Sequence, residues 1–291
     1  MGLFTEMSKT ILVTGSRGVI GRQVAKDLTS LGHKVIGTRR PSQAESDQNE
    51  IVFQEWTELE VNRLQLDAVI HLAGIYRTSL DLDTKRECFE VNLGLTESIA
   101  ALQAKTKVPV IAAGSFFEKA PGSPWSYYSI SKAAGREILR ISAEEANSKS
   151  AYLYLYDSYS QDQSRGKFLD LLLNSAKTSV GLKASQGDQV QDLTHVSDIS
   201  SAFICALQGL TFQDNPFTEF QIRSREVVSL KELAEKVSTH LGKLPEIDWG
   251  FYPYRAREVF NIWDCAPDLI GWTPQNTLDS FLSGYKENSL A

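Results

Sequence analysis

The chain has 291 residues, 42% of them hydrophobic and 23% charged, with a net charge of -6 and a pI near 5.4. That length suits one large α/β domain with a smaller appendage, and the composition excludes a disordered chain. The acidic balance, with no basic stripe interleaved with aromatics, excludes a nucleic-acid-binding surface. Cys88, Cys205 and Cys265 stand far apart with no Cys or His partner at metal spacing. Reduced, structural thiols in a cytoplasmic protein are therefore expected, with no metal site. No run approaches the roughly 18 apolar residues of a membrane span, and the stretch MGLFTEMSKT lacks the pattern of a secretion signal. Neither secretion nor a membrane is expected.

The first element is the sharpest. Ile11, Leu12 and Val13 make an apolar run, Gly15, Gly18 and Gly21 follow at three-residue spacing, and Val24, Leu28 and Leu31 begin a helical period. A buried strand, a tight turn and a helix are predicted. The glycines allow the turn, a close approach of diphosphate and close helix packing, and the helix N-terminus attracts anionic groups. His33 to Thr38 reads as a second strand ending in Arg39-Arg40-Pro41, Ile51 to Phe53 as a third, and Asp67 to Gly74 as a fourth. Glu58 to Leu64 can supply a crossover helix between the last two. A long helical pattern follows over Lys85 to Lys105, a strand over Val108 to Ala112 closed by Gly114-Ser115, a second long helix over Trp125 to Ala146, and a sixth strand over Tyr152 to Tyr156. Strands alternating with helices at this spacing predict an α/β doubly wound parallel sheet, a Rossmann arrangement, with ligands beyond the strands' C-terminal ends.

The remainder is less regular. Phe168 to Ala176, Val196 to Leu207 and Leu230 to Leu241 read as helices, the last opened by a capping box at Ser229-Leu230-Lys231-Glu232, and Phe220 to Ile222 as a short strand. The expected division is a dinucleotide-binding domain over 1–160, to which 193–212 returns, and a smaller interwoven substrate domain over 161–192 and 213–291.

Tyr128 and Lys132 are four residues apart, so on a helix they share one face. An ammonium beside a phenol favours phenolate, which predicts a Tyr128 able to trade a proton. At the end of the second strand there is no acidic residue to hold ribose hydroxyls. Arg39 and Arg40 stand there instead, with Arg17 inside the glycine turn. Guanidinium groups suit a 2′-phosphate, so NADP(H) is the expected cofactor.

With these residues in view the chain resembles the extended short-chain dehydrogenase/reductases of the NAD-dependent epimerase/dehydratase family, and within them the nucleotide-sugar 4-ketoreductases. Thr14 to Gly21 matches that group's glycine turn, His71-Leu72-Ala73-Gly74 its fourth-strand motif, Asn92 its helix asparagine, and Ser115, Tyr128 and Lys132 its catalytic set. Gly187 to Asp198 looks like the segment that returns to the sheet, Tyr254 to Glu258 like the C-terminal arginine motif, and Leu269 to Trp272 like the closing motif. The resemblance implies that Gly15, Arg17, Gly18, Val19, Ile20, Gly21, Leu72, Ala73 and Lys132 contact the cofactor. It also implies that Ser115 and Tyr128 hold the substrate oxygen and that Arg255 holds a diphosphate. His71 and His195 fall on no catalytic position and are expected to be packed. A homodimer formed by the two long helices is expected by analogy.

Departures narrow the reaction. Phe116 and Phe117 follow Ser115 where dehydratases carry acids, and Glu118 is displaced from that role. Asp157 and Gln191 replace an amide and an arginine common among relatives. The expected activity is therefore NADPH-dependent reduction of the C4 ketone of a CDP- or dTDP-linked 4-keto-6-deoxyhexose in deoxysugar biosynthesis. The alternatives are an NAD-dependent nucleotide-sugar 4-epimerase and, in another class, a non-catalytic NADP(H)-binding regulator.

Overall fold

The computed structural model describes residues 8–39, 50–52, 64–77, 79–122, 126–209, 214–242, 244–255 and 257–289. Arg40, Phe53, Trp125 and the crossover helix expected over Glu58 to Leu64, Leu64 excepted, lie outside them. The chain divides into two compact units, one of Met1–Tyr154, Ile199–Gln221 and Cys265–Trp272, the other of Leu155–Asp198, Ile222–Asp264 and Thr273–Ala291.

The first unit is built on β1 (Thr10–Thr14), β2 (Lys34–Arg39), β3 (Glu50–Val52), β4 (Ala68–His71), β5 (Val110–Ser115), β6 (Ser150–Leu155) and β10 (Phe217–Ile222). They form a seven-stranded sheet in the order β10-β6-β5-β4-β1-β2-β3. The pairings β1–β2, β1–β4, β2–β3 and β4–β5 are parallel. Such a sheet is covered on both faces, so its strands read as apolar runs and not as alternation. Ile11, Leu12, Val13, Val69, Ile70, Val110 and Ile111 are all fully buried, each contributing about 1.5–3 kcal/mol of transfer free energy. Helix α1 (Val19–Ser30) turns Gly21, Val24 and Leu28 inward. These are the positions that the helical period of the sequence marks.

The expected helix over Lys85 to Lys105 is three segments: α2 (Leu82–Cys88), a π-helical turn over Phe89–Leu93, and α3 (Gly94–Thr106). Such wide turns cluster at functional sites because they re-aim a side chain out of the regular ladder. Here that side chain is Asn92, buried in the π turn. Helix α4 (Tyr127–Glu145) packs along α3, and Ser142 Oγ donates to Ala100 O at 3.0 Å. Its start is fixed by Ser126, whose Oγ accepts from Ser129 N at 3.2 Å while Ser129 Oγ accepts from Ser126 N at 3.0 Å.

The second unit holds β7 (Asp157–Tyr159), β8 (Leu182–Lys183), β9 (Val190–His195), β11 (Val227–Ser229) and β12 (Ile247–Asp248) in two small sheets, β11-β9-β7 and β12-β8. Helices α5 (Phe168–Thr178), α7 (Leu230–Leu241) and α8 (Leu278–Ser289) bury Leu169, Leu172, Leu173, Leu233, Val237, Leu278 and Leu282 together. The capping box of α7 forms as its sequence predicts, with Ser229 Oγ accepting from Glu232 N at 3.2 Å and Glu232 Oε2 accepting from Ser229 N at 2.7 Å. Helix α6 (Val196–Gly209) links the two stretches of chain. Among the described residues no helix is long and apolar enough to cross a membrane.

Candidate active site

The glycine turn between β1 and α1 is held on both sides. Thr14 Oγ1 accepts from Leu72 N and Ala73 N, both at 3.1 Å, and lies 2.8 Å from His71 Nδ1. The main-chain N–H groups of Leu72 and Ala73 are therefore committed to fixing the end of β4 against the end of β1. On the other side Ser16 Oγ accepts from Thr38 N at 3.2 Å and donates to Thr38 O at 3.3 Å, tying the turn to the end of β2. Gly15 has φ +69°, and a Cβ there would stand 2.9 Å from Ala73 N. A Cβ on Gly21 would stand 2.1 Å from Gly15 O. Two backbones thus approach where only glycine fits. Gly18 is the N-cap of α1 and brings no side chain to its first turn, and Val19 and Ile20 follow as its first residues. This cradle fits a dinucleotide diphosphate, which needs main-chain donors and a positive helix end and no intruding side chain.

The arginines are placed less uniformly. Arg17 forms a two-pronged pair with Glu50 of β3, Nε to Oε1 at 2.9 Å and Nη2 to Oε2 at 2.5 Å. Its guanidinium is shared with a carboxylate. Nothing between 17 and 50 announces this pairing, because it depends on Glu50 lying opposite Gly37 in the sheet. Arg39 ends β2 beside Val52, where a ribose-bound phosphate is expected. Arg40 is outside the described residues.

Ser115 ends β5, and Tyr128 and Lys132 lie one turn apart at the start of α4. Ser115 is 6% exposed, and its hydroxyl lies close enough to the Tyr128 phenol to favour the phenolate. Asn92 braces this wall from the π turn, its Oδ1 accepting from Ile75 N at 2.7 Å and its Nδ2 donating to Ile75 O at 3.1 Å and to Ser131 Oγ at 3.0 Å. Ser131 Oγ in turn donates to Tyr128 O at 2.8 Å. Tyr76 meets the Tyr128 ring edge-on at 5.0 Å between centroids and stacks on Phe117 at 6.3 Å, and Phe117 packs on Phe116 at 4.2 Å. An aromatic surface therefore flanks the Tyr128 ring.

Glu118 also enters this cluster. It is 7% exposed, and its Oε1 accepts from Ser115 N at 2.7 Å and from Tyr152 OH at 3.0 Å. The sequence carries the signal in Ser115-Phe116-Phe117-Glu118, a capping box that turns the acid back toward the serine.

Burial dominates the electrostatics. It drives the Tyr128 phenol above its ordinary range, and the Glu118 charge adds to this while the Ser115 hydrogen bond opposes it. The phenol is thus raised and not lowered, against the expected pull of Lys132 toward phenolate, with burial the largest cause. Burial lowers Lys132, with Glu118 opposing. Burial pushes Glu118 up to about 7, with Lys132 opposing. His71, between Thr14 Oγ1 and Thr96 Oγ1, is pushed down to about 3 by burial and by the Lys132 charge, and is a neutral packed residue.

The first unit thus brings together the glycine turn, Arg17, Arg39, Leu72, Ala73, Ser115, Tyr128 and Lys132. Arg255 belongs to the second unit, where it is exposed and its N donates to Glu258 Oε1 at 3.4 Å. His195 also lies there, its Nδ1 2.7 Å from Ser197 Oγ.

A mostly parallel seven-stranded sheet with this turn at its first strand is the dinucleotide-binding fold of the short-chain dehydrogenase/reductases. The chain belongs to the NAD dependent epimerase/dehydratase family, whose model matches residues 11–216. Members of this family are short-chain dehydrogenase/reductase-type enzymes of nucleotide sugars. Among curated proteins none matches the sequence. Similar solved structures include UDP-glucuronic acid 4-epimerase from Bacillus cereus in complex with UDP-glucuronic acid and NAD, at 19% identity and TM-score 0.81 over 97% of this chain and 100% of that one. MoeE5 in complex with UDP-glucose and NAD matches at 20% identity and TM-score 0.80 over 97% and 100%. UDP-glucose 4-epimerase from Thermotoga maritima with UDP-glucose matches at 20% identity and TM-score 0.79, also over 97% and 100%. At these identities the likeness is one of fold.

Proposed function

We propose that this chain uses NADPH to reduce the C4 ketone of a nucleotide-linked 4-keto-6-deoxyhexose, CDP- or dTDP-linked, in deoxysugar biosynthesis. The observation that carries the reading is Ser115 buried at the end of β5 beside Tyr128, which burial holds as a phenol, with Lys132 one turn along α4. A protonated tyrosine is the form needed to donate to a ketone oxygen as that oxygen gains charge. Ser115 Oγ and Tyr128 OH orient the carbonyl, and Tyr128 passes its proton to the oxygen. Lys132 then steadies the phenolate that is left. The nicotinamide supplies the hydride when bound. Gly15, Gly18, Val19, Ile20 and Gly21 hold its diphosphate, Leu72 and Ala73 border it, and Arg39 and Arg40 receive the 2′-phosphate with Arg17 shared with Glu50. Arg255 holds the sugar nucleotide's diphosphate. The enzyme is a cytoplasmic homodimer on this reading.

Phe116 and Phe117 offer no acid for elimination, and the Glu118 carboxylate is turned back onto Ser115 N. Both support reduction over dehydration. The second reading is a 4-epimerase on retained NAD, favoured by the NAD and UDP-sugars held in the similar structures. A panel of CDP- and dTDP-4-keto-6-deoxyglucose with NADPH and NADH separates the two. Stoichiometric loss of NADPH absorbance is expected, with NADPH binding tighter than NADH by about tenfold. No loss with any 4-keto sugar, or tighter NADH binding, contradicts the reading.

A further inference from the structure

Glu118 is an acid inside a site whose other members need only a serine, a tyrosine and a lysine. It is 7% exposed, yet its carboxylate is built in and not stranded. Oε1 accepts from Ser115 N at 2.7 Å, the main chain of the very residue whose side chain lies beside Tyr128. The same oxygen accepts from Tyr152 OH at 3.0 Å, and that hydroxyl also lies 3.2 Å from Lys132 O. Tyr152 is itself fixed, because its ring fills the space beside Gly114, where a Cβ would stand 2.1 Å from the ring. The acid is thus tied to β5 through Ser115 and to β6 through Tyr152, and Tyr152 reaches α4 at Lys132.

Several charged or titratable groups among the described residues face it. From α4 come Tyr128, Lys132 and Arg136, and from β6 come Tyr152 and Tyr154. Arg136 Nη1 donates to Tyr154 OH at 2.7 Å, and Tyr154 OH donates to Glu219 of β10, so this second pair is partly neutralised by its own acid. Lys132 and Tyr128 both stand within reach of the Glu118 charge. A carboxylate here offsets the lysine's ammonium and repels a phenolate.

We propose that Glu118 is a positioning residue of the Ser115–Tyr128–Lys132 site, and that its carboxylate biases Tyr128 toward the protonated form that donates to a substrate carbonyl. The inference rests on the reading of Tyr128 as the proton donor. It adds a third ionisable group, at the third residue after the serine, which makes the direction of proton transfer respond to pH. Near pH 7 the group is half ionised, so the bias strengthens as pH rises through that point.

Glu118→Gln tests it, because the amide keeps an acceptor oxygen for Ser115 N and Tyr152 OH and loses the charge. Tyrosinate absorbance of the full chain is compared with that of Glu118→Gln over about pH 7 to 11, each corrected by its own Tyr128→Phe counterpart. Loss of a like charge at this range should lower the Tyr128 midpoint by about one unit or more. Equal phenolate fractions in the two proteins across that range overturn the proposal. A second measurement leaves the acid in place. With NADPH and a 4-keto sugar nucleotide, the wild-type kcat profile should carry an inflection near pH 7. Glu118→Gln should lack it, and Tyr152→Phe should move it upward by about half a unit or more, since the lost hydroxyl favours the carboxylate. An inflection that survives in Glu118→Gln, or that Tyr152→Phe leaves in place, also overturns the proposal. A wild-type protein that consumes no NADPH refutes the reductase reading alone, since the absorbance comparison needs neither substrate nor turnover.

Discussion

On the proposed reading, Tyr128 is the residue on which the chemistry turns. Tyr76 meets its ring edge-on, its hydroxyl lies beside Ser115, and burial raises the phenol above its ordinary range. Tyr128→Phe removes the proton and little else, so kcat for ketone reduction should fall by about 10²–10⁴-fold. NADPH affinity, measured by fluorescence titration, should stay within about threefold of wild type, since the diphosphate cradle lies on another element. Retained turnover would remove Tyr128 from the mechanism. The pair Tyr128 and Lys132 was legible in the sequence because a four-residue spacing becomes a shared face on any helix. Its electrostatic balance was not, since the cost of burying a phenolate depends on what encloses it. Glu118 shows the same divide. The Ser-x-x-Glu spacing predicts a turn back toward Ser115, but only the fold shows that the turn delivers a carboxylate between Ser115, Tyr152 and Lys132.

At the scale of elements, β1, its turn and α1 follow from the sequence almost residue by residue, because an apolar run, three spaced glycines and a helical period each have one local solution. Gly21→Ala sets a Cβ 2.1 Å from Gly15 O. That overlap has no flexible side chain to yield, so a cost of about 1–3 kcal/mol is expected, read as a lower denaturation midpoint together with weaker NADPH binding. A variant as stable and as tight-binding as wild type would contradict the close packing of turn and helix. The π turn after α2 was hidden, because one wide turn leaves the apolar spacing of Lys85 to Lys105 almost unchanged. Asn92 within it makes three side-chain bonds, two to Ile75 and one to Ser131. Asn92→Ala leaves Ile75 N and O without these partners and should cost about 1–3 kcal/mol. A loss under about 0.5 kcal/mol in equilibrium unfolding would contradict that role. The Arg17–Glu50 pair was equally hidden, since it needs the register of β2 against β3. The short strands of the second unit, two to six residues each, carry too little periodicity to be read in advance.

For the molecule as a whole, two buried groups give stability opposite dependences on pH. His71 is held neutral, its folded value of about 3 lying below the reference 6.5. Its contribution is present above pH 6.5 and is lost as pH falls toward 3. Glu118 is shifted the other way, from 4.5 to about 7, so the folded state holds the extra proton. The stability associated with its protonated form is present below pH 4.5 and is lost as pH rises through 7. Relative to Glu118→Gln, which has no proton to lose, wild type should therefore weaken between pH 4.5 and 7, by a total on the order of 3 kcal/mol. Urea unfolding of both proteins at each end of that window checks this, and a constant difference would contradict the burial of an ionisable acid. The parallel sheet was legible because alternating strands and helices admit few topologies. The substrate was not, because loops carry no periodic signal that fixes where their side chains stand. The central claim, that hydride is delivered to C4 of a keto sugar with Tyr128 as the proton donor, is tested most directly by supplying deuterium on the transferring face of NADPH together with CDP- or dTDP-4-keto-6-deoxyglucose. The predicted result is one NADPH consumed per sugar with deuterium at C4, lost in Tyr128→Phe; a sugar nucleotide inverted at C4 without label and without NADPH loss would contradict it.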